Sequence, residues 1–216
     1  MAPDYPFYGL QSQGLDGKSP CLTSIEAMAS HYISEMRSVQ PRGPYFLGGF
    51  SFGGLVAYEM SQQLLARGEE AGLLVLFDTY PGDLKSVAES LVHLVLTPSW
   101  RNWTYDLPKA LRKRIKRLST TWRLPQHLKD VRDTNRAASD RYLLRPFEGR
   151  ATLIRANEQS LRSSEDPHAA WNSLVSNLDV HSVPGNHYDI LVEPQVEHLA
   201  KCLKACISEA SLSRVS

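Results

Sequence analysis

Cysteine is scarce in this chain, with three (Cys21, Cys202 and Cys206) among 216 residues. So few, and an odd number, cannot build a disulfide framework, and their scarcity points to a reducing compartment. Cys202 and Cys206 lie four apart in an apolar helical pattern and read as two packed thiols rather than metal ligands. Charge of one sign is lacking too: 24 Lys and Arg offset 23 Asp and Glu, a net +1, which gives no reason to expect a nucleic-acid partner. No run of about 18 apolar residues is present to span a membrane. The opening Met-Ala-Pro-Asp-Tyr-Pro-Phe-Tyr-Gly has neither the basic start nor the apolar core of a secretory signal. The expectation is a cytoplasmic protein without membrane contact. Repeats and low-complexity tracts are missing as well. What remains, 42% hydrophobic and 22% charged residues, suits a single globular domain over 1–216 with a sizeable core.

Short apolar runs bounded by Gly, Pro or polar residues predict strands at Tyr5–Leu10, Tyr45–Phe50, Leu73–Asp78, Ala151–Arg155 and Leu178–Val183. Between the first two, Ile25, Met28, Ala29, Tyr32, Ile33 and Met36 recur at helical spacing, with Thr23 and Glu26 placed as a capping box. A second amphipathic run follows Ser51 and ends on Gly68, a natural C-cap. Strands alternating with helices imply parallel neighbours joined by right-handed crossovers. The fold class is therefore α/β, a mostly parallel sheet flanked by helices on both faces.

Residues 84–149 read differently. They lack strand-like runs and are interrupted by prolines 98, 108, 125 and 146. They also carry a basic cluster: Arg112, Lys113, Arg114, Lys116 and Arg117. The segment reads as a helical insertion over one end of the sheet. The cluster is either a solvated helix face or a patch that binds an acidic partner.

The most informative stretch is Tyr-Phe-Leu-Gly-Gly-Phe-Ser-Phe-Gly-Gly-Leu-Val-Ala-Tyr-Glu-Met, residues 45–60. Here a strand-like run meets glycines and a serine and turns at once into an amphipathic helix. A turn that sharp forces its tip residue into a positive-φ conformation and crowds the positions two before and two after. Gly49 and Gly53 supply small residues at both places, and Gly54 lets the helix pack close to the sheet. The arrangement is a nucleophile elbow that lifts the Ser51 hydroxyl over a helix N-terminus, where the Phe52 N–H can stabilise an oxyanion.

A serine needs a base, and the base needs a group to orient it. Behind an elbow of this kind the partners follow in the order acid, then histidine. Asp78 ends the next apolar run, Leu-Leu-Val-Leu-Phe-Asp-Thr-Tyr-Pro-Gly; Asp83, beyond Pro81-Gly82, is its nearest rival. His187 follows the Pro184-Gly185 turn in the loop after the last strand. His181 belongs to the strand pattern itself, His198 to the final helix, and His31, His93, His127 and His168 have no motif around them.

With Ser51, Asp78 and His187 in place, the chain resembles the type I thioesterase domains of modular polyketide and nonribosomal peptide synthases, members of the α/β-hydrolase fold. The similar stretches are Tyr8–Gly17, Ser24–Met60, Leu73–Gly82 and Val183–Leu191. The resemblance implies that 84–149 is the family's variable helical lid. It also implies an acyl, polyketide or peptidyl chain delivered as a thioester on the phosphopantetheine arm of a carrier protein. That chain would be transferred to Ser51 and released by hydrolysis or cyclisation, with no metal and no bound cofactor. The partner would be an acyl or peptidyl carrier protein or an upstream synthase module. In the family a strand and a His-Pro-x-Gly-Gly loop, source of a second oxyanion donor, precede the stretch matching Tyr8-Gly9-Leu10-Gln11. Nothing in residues 1–7 resembles them, so the expectation is a domain lacking that first unit. Two other readings stay open: a general carboxylesterase or lipase, and an inactive remnant acting only as a binding module.

Overall fold

Four apolar runs hydrogen-bond side by side into one parallel sheet in the computed structural model, which describes residues 6–81, 124–158 and 169–212. In chain order the elements are α1 (Ile25–Val39), β1 (Tyr45–Phe50), α2 (Phe52–Leu65), β2 (Ala71–Phe77) and α3 (Gln126–Arg141). They continue with β3 (Phe147–Ala156), the single turn α4 (Trp171–Leu174), β4 (Val175–Val183) and α5 (Gln195–Leu212). The strands lie in the order β1-β2-β3-β4, every pairing parallel, with Phe50 opposite Phe77 and Phe77 opposite Ile154.

Because side chains alternate along a strand, each strand feeds two cores. Leu74 and Leu76 of β2 join Leu47, Ala151 and Leu153 on the face covered by α1 and α2, where Ile25, Ile33, Leu55, Tyr58 and Leu64 are buried. Val75 and Phe77, one residue out of phase, join Ile154, Ala156 and Val183 under Leu199 and Cys206 of α5. Burying both faces is what a parallel sheet requires, and each large apolar side chain so buried contributes about 1.5–3 kcal/mol. No helix among the described residues is long and apolar enough to cross a membrane.

Several boundaries differ from the sequence expectation, each for a physical reason. Residues 6–10 form no strand, and Phe7 and Tyr8 stand exposed at 85% and 67%. Pro6 removes a ladder donor and Gly9 offers no side chain to pack, so this short run cannot hold a place in a sheet. Helix α1 is capped by Ser24, not Thr23: the Ser24 Oγ accepts from the Ala27 N–H at 3.1 Å, leaving Glu26 to favour the helix N-terminus from the first turn. Strand β3 begins at Phe147, inside the segment expected to be helical. Its first residues are interrupted by charges and Gly149, and the pairing with β4 shifts register between Phe147 and Arg150. Within the same segment α3 lies against α1 and α2, with Val131 and Ala138 buried. Residues 82–123, including the basic cluster and Asp83, lie outside the described residues.

Candidate active site

Three strand ends meet at one edge of the sheet. β1 runs out at Phe50 into Ser51, β2 at Phe77 into Asp78, and β4 at Val183 into the turn that carries His187. This is the carboxyl edge of a parallel sheet, where loops converge and ligands bind.

Ser51 sits between β1 and α2 with φ +53°, and Asp78 has φ +43°. These are the two non-glycine residues with positive φ among those described, and both stand at the ends of neighbouring strands. Such backbone costs of order 1–3 kcal/mol per residue and persists only where the surroundings hold it. The Ser51 N–H is tied to the Phe77 carbonyl at 2.9 Å, and the Asp78 N–H to the Ile154 carbonyl at 2.8 Å. Gly49 is obligatory, because a Cβ there would lie 2.0 Å from the Gly53 carbonyl oxygen. Gly54 is obligatory as well: its Cβ would lie 1.9 Å from Thr79 Oγ1. Gly53 corrects the sequence reading, since a Cβ at that position would meet nothing within 4 Å. The crowding is one-sided, with the Gly53 backbone intruding on Gly49.

The Asp78 carboxylate is fully buried and anchored from several directions. Its Oδ1 accepts from the Ala156 N–H at 2.9 Å, and its Oδ2 accepts from the Tyr80 hydroxyl at 2.9 Å. His187 Nδ1 lies 2.6 Å from the same Oδ2. A carboxylate only accepts, so Nδ1 carries a proton, and in the neutral imidazole the acceptor is then Nε2. The imidazole is surrounded by aromatic rings: Phe50 stacks on it at 4.7 Å between centroids, Tyr80 packs tilted and Tyr188 edge-on, each at 5.5 Å. Its loop is wound tight. Asn186 caps it through the Tyr188 N–H and the Asp189 carboxylate, and Ile190 plugs it into the core. The loop after β2 is pinned by Trp171, whose Nε1 donates to the Thr79 carbonyl at 2.7 Å.

Two buried polar atoms at this edge have no hydrogen-bond partner, the Ser51 Oγ and the His187 Nε2. Their chemistry is complementary, a hydroxyl that can donate and a ring nitrogen that can accept, at the same edge of the sheet. Phe52 opens α2, so its N–H has no acceptor within the helix.

Sequence reasoning brought together Ser51, Phe52, Asp78 and His187, and the structure places all four at this edge. It missed Phe50, Tyr80 and the Ala156 N–H. The first two flank the chosen residues in sequence and were visible as aromatics beside them. Ala156 is 78 positions from Asp78, and only β2–β3 pairing brings it there.

A strained serine above a helix N-terminus and a carboxylate–imidazole pair at the same edge of a parallel sheet belong to the α/β-hydrolase fold. Within that class the chain belongs to the thioesterase domain family, whose model matches residues 1–207. It is similar over 97% of its length to vanchrobactin synthetase VabF of Vibrio anguillarum, at 28% identity, and over 96% to enterobactin synthase component F of Escherichia coli K12, at 27%. A part of it, 42%, is 44% identical to a dimodular nonribosomal peptide synthase of Bacillus subtilis. The chain covers 7%, 16% and 4% of these proteins, a small part of each. Among solved structures it resembles a four-domain nonribosomal peptide synthetase, holo-AB3403, with a TM-score of 0.67 and 27% identity over 91% of this chain and 17% of that one. It also resembles the NocB thioesterase domain from the nocardicin cluster, with a TM-score of 0.63 and 25% identity over 89% of this chain and 78% of that one. The chain is thus a thioesterase domain, similar to those of nonribosomal peptide and polyketide synthetases.

Proposed function

We propose that this domain releases an acyl, polyketide or peptidyl chain from the phosphopantetheine thioester of a carrier protein, through an acyl-enzyme on Ser51. His187 Nε2 takes the Ser51 proton as Oγ attacks the thioester carbonyl. The developing oxyanion is met by the Phe52 N–H, with the α2 dipole behind it. Asp78 holds the imidazole in the tautomer that presents Nε2 and stabilises its cation. The tetrahedral intermediate collapses, the thiolate leaves with the proton from His187, and the acyl group rests on Ser51. Water, or a hydroxyl or amine of the chain itself, then attacks the ester with His187 as base and regenerates Ser51. The residues need no metal and no bound cofactor for these steps.

The observation that carries this reading is the buried Asp78–His187 bond of 2.6 Å combined with the unpartnered Ser51 Oγ and His187 Nε2. The test is turnover of an acyl-pantetheine thioester together with labelling by a fluorophosphonate probe. Ser51→Ala is expected to abolish both; a Ser51→Ala protein that still labels and turns over would overturn the assignment.

The partner is an acyl or peptidyl carrier protein or an upstream synthase module. Arg112, Lys113, Arg114, Lys116 and Arg117 are the candidate docking residues on its account, because a phosphate-bearing arm and an acidic carrier are attracted by a basic cluster.

A further inference from the structure

On the α5 face of the sheet, away from the strand ends that carry Ser51 and His187, three side chains converge that the proposed chemistry does not use. Cys202 and Cys206 are one turn apart on α5, so both thiols emerge on one side of the helix. His181 lies on β4 in phase with Val183, which faces α5. The His181 imidazole nitrogen and the two Sγ atoms all lie within 4.8 Å of one another.

We propose that His181, Cys202 and Cys206 form a binding site for one thiolate-preferring divalent cation of the Zn2+ type. Two thiolates and an imidazole are the donor set such ions select over oxygen-ligand ions. Zn–S bonds of about 2.3 Å and Zn–N bonds of about 2.0–2.1 Å place tetrahedral ligand atoms roughly 3.5–3.8 Å apart. Drawing the three atoms to that spacing takes movements of about an ångström, within reach of side-chain rotation alone. His181 and Cys206 also line a cleft of about 80 Å3, together with Glu209 and the ion-paired Asp179 and Arg150, which has room for a water ligand. Helical spacing alone made Cys202 and Cys206 look like packed thiols; the third donor comes from a strand some twenty residues earlier, and only the packing of α5 on β4 supplies it. A bound ion would tie the last helix to the last strand and so brace the element that ends in the His187 loop. No metal-dependent step enters the chemistry at Ser51.

The test uses the untagged chain, stripped with a chelator and titrated with Zn2+ and, for spectroscopy, with Co2+. The expected result is one ion per chain, tetrahedral cobalt bands with a thiolate charge-transfer band, and protection of two of the three thiols from a disulfide-exchange reagent. Cys202→Ser and Cys206→Ser are each expected to abolish the charge-transfer intensity or halve it, and His181→Gln to weaken Zn2+ at least about tenfold, the usual scale for losing a positioned metal contact. His181→Gln sits on a strand surface and keeps the proposal testable if a cysteine variant fails to fold. Cys21→Ser, remote from the cluster, is expected to change nothing. Failure to bind Zn2+ at micromolar concentration, a Cys21-dependent signal, or an unchanged affinity in His181→Gln would overturn the site.

Discussion

Ser51 and Asp78 are the two strained residues of neighbouring strand ends, and their strain is sustained by different means. Each backbone N–H is tied to the neighbouring strand, Ser51 to Phe77 and Asp78 to Ile154; Asp78 is held further by hydrogen bonds from Ala156 and Tyr80, whereas the turn at Ser51 depends on Gly49 leaving room for the Gly53 backbone. Ser51→Ala is expected to cost on the order of a millionfold in turnover, His187→Ala about as much, and Asp78→Asn about ten-thousandfold, read from single-turnover rates on an acyl-pantetheine thioester. The glycines separate cleanly. Gly49→Ala is expected to destabilise the domain by about 3 kcal/mol or more, because the new methyl has no way past a backbone carbonyl. Gly53→Ala meets open space at a helical position and is expected to be neutral or slightly stabilising. Denaturant melts of the pair decide it, and equal losses would refute the one-sided crowding. At this scale much of the geometry was legible: a sharp strand-to-helix turn at Ser51, an acid at the next strand end and a histidine after the last strand are local patterns. The needless bulk at Gly53 was not, because a clash depends on the direction of a Cβ, which spacing does not record.

Among the elements, α2 carries an acid that the site does not use. Glu59 is buried at 1% exposure and accepts from the Tyr142 hydroxyl at 2.7 Å, from Gln63 at 3.0 Å, and from Arg145 at 3.2 Å. Beside it the Tyr58 hydroxyl donates to the Arg145 carbonyl at 2.7 Å, and Gln62 donates to the Arg145 and Pro146 carbonyls. The connection from α3 to β3 is thereby fastened to the helix that begins at Ser51. Arg145 itself is largely exposed and can rehydrate, so the sensitive partner is the tyrosine. Tyr142→Phe is expected to cost about 1–3 kcal/mol, since it strips a buried carboxylate of a donor. Burial pushes the Tyr58 hydroxyl up to about 12, and burial together with the Glu59 carboxylate raises Tyr142 further. Both hydroxyls ionise later in the folded chain than in the unfolded chain, where tyrosine titrates near 10. The stability that Tyr58 contributes is whole below about pH 10 and is lost as pH climbs through about 12; that of Tyr142 also begins to fall above about pH 10 and goes on falling at still higher pH. Thermal melts across that window are expected to fall steeply, and less steeply for Tyr142→Phe; a melt independent of pH up to 12 would refute the coupling. None of this was legible beforehand, because Glu59 looks like one polar position on an amphipathic helix until residues 142–146 are brought over it.

Across the whole molecule, the charges balance while the candidate docking cluster does not. With a net charge of +1, any attraction between this domain and an acidic carrier must come from local concentration of charge rather than from the overall field. Reversing three of Arg112, Lys113, Arg114, Lys116 and Arg117 is expected to raise KM for a carrier-bound substrate several-fold and leave KM for a small pantetheine thioester unchanged. In the native protein the carrier reaction alone is expected to slow as salt is added. Equal effects on both substrates would reduce the cluster to a solvated face.

The sequence by itself determined the alternation of strands and helices, the elbow, and the chain order serine, acid, histidine, because each is written in spacing of a few residues. It also determined the family, through stretches that flank those residues. Tertiary structure alone decided what depends on contacts between distant segments. Pairing of β2 with β3 put the Ala156 N–H on Asp78, packing of α5 on β4 put His181 beside Cys202 and Cys206, and the closure of residues 142–146 over α2 buried Glu59. It also refused the run before Leu10 a place in the sheet. A strand is stabilised by neighbours on the ladder and by a face to bury, and neither requirement can be read from the run's own residues.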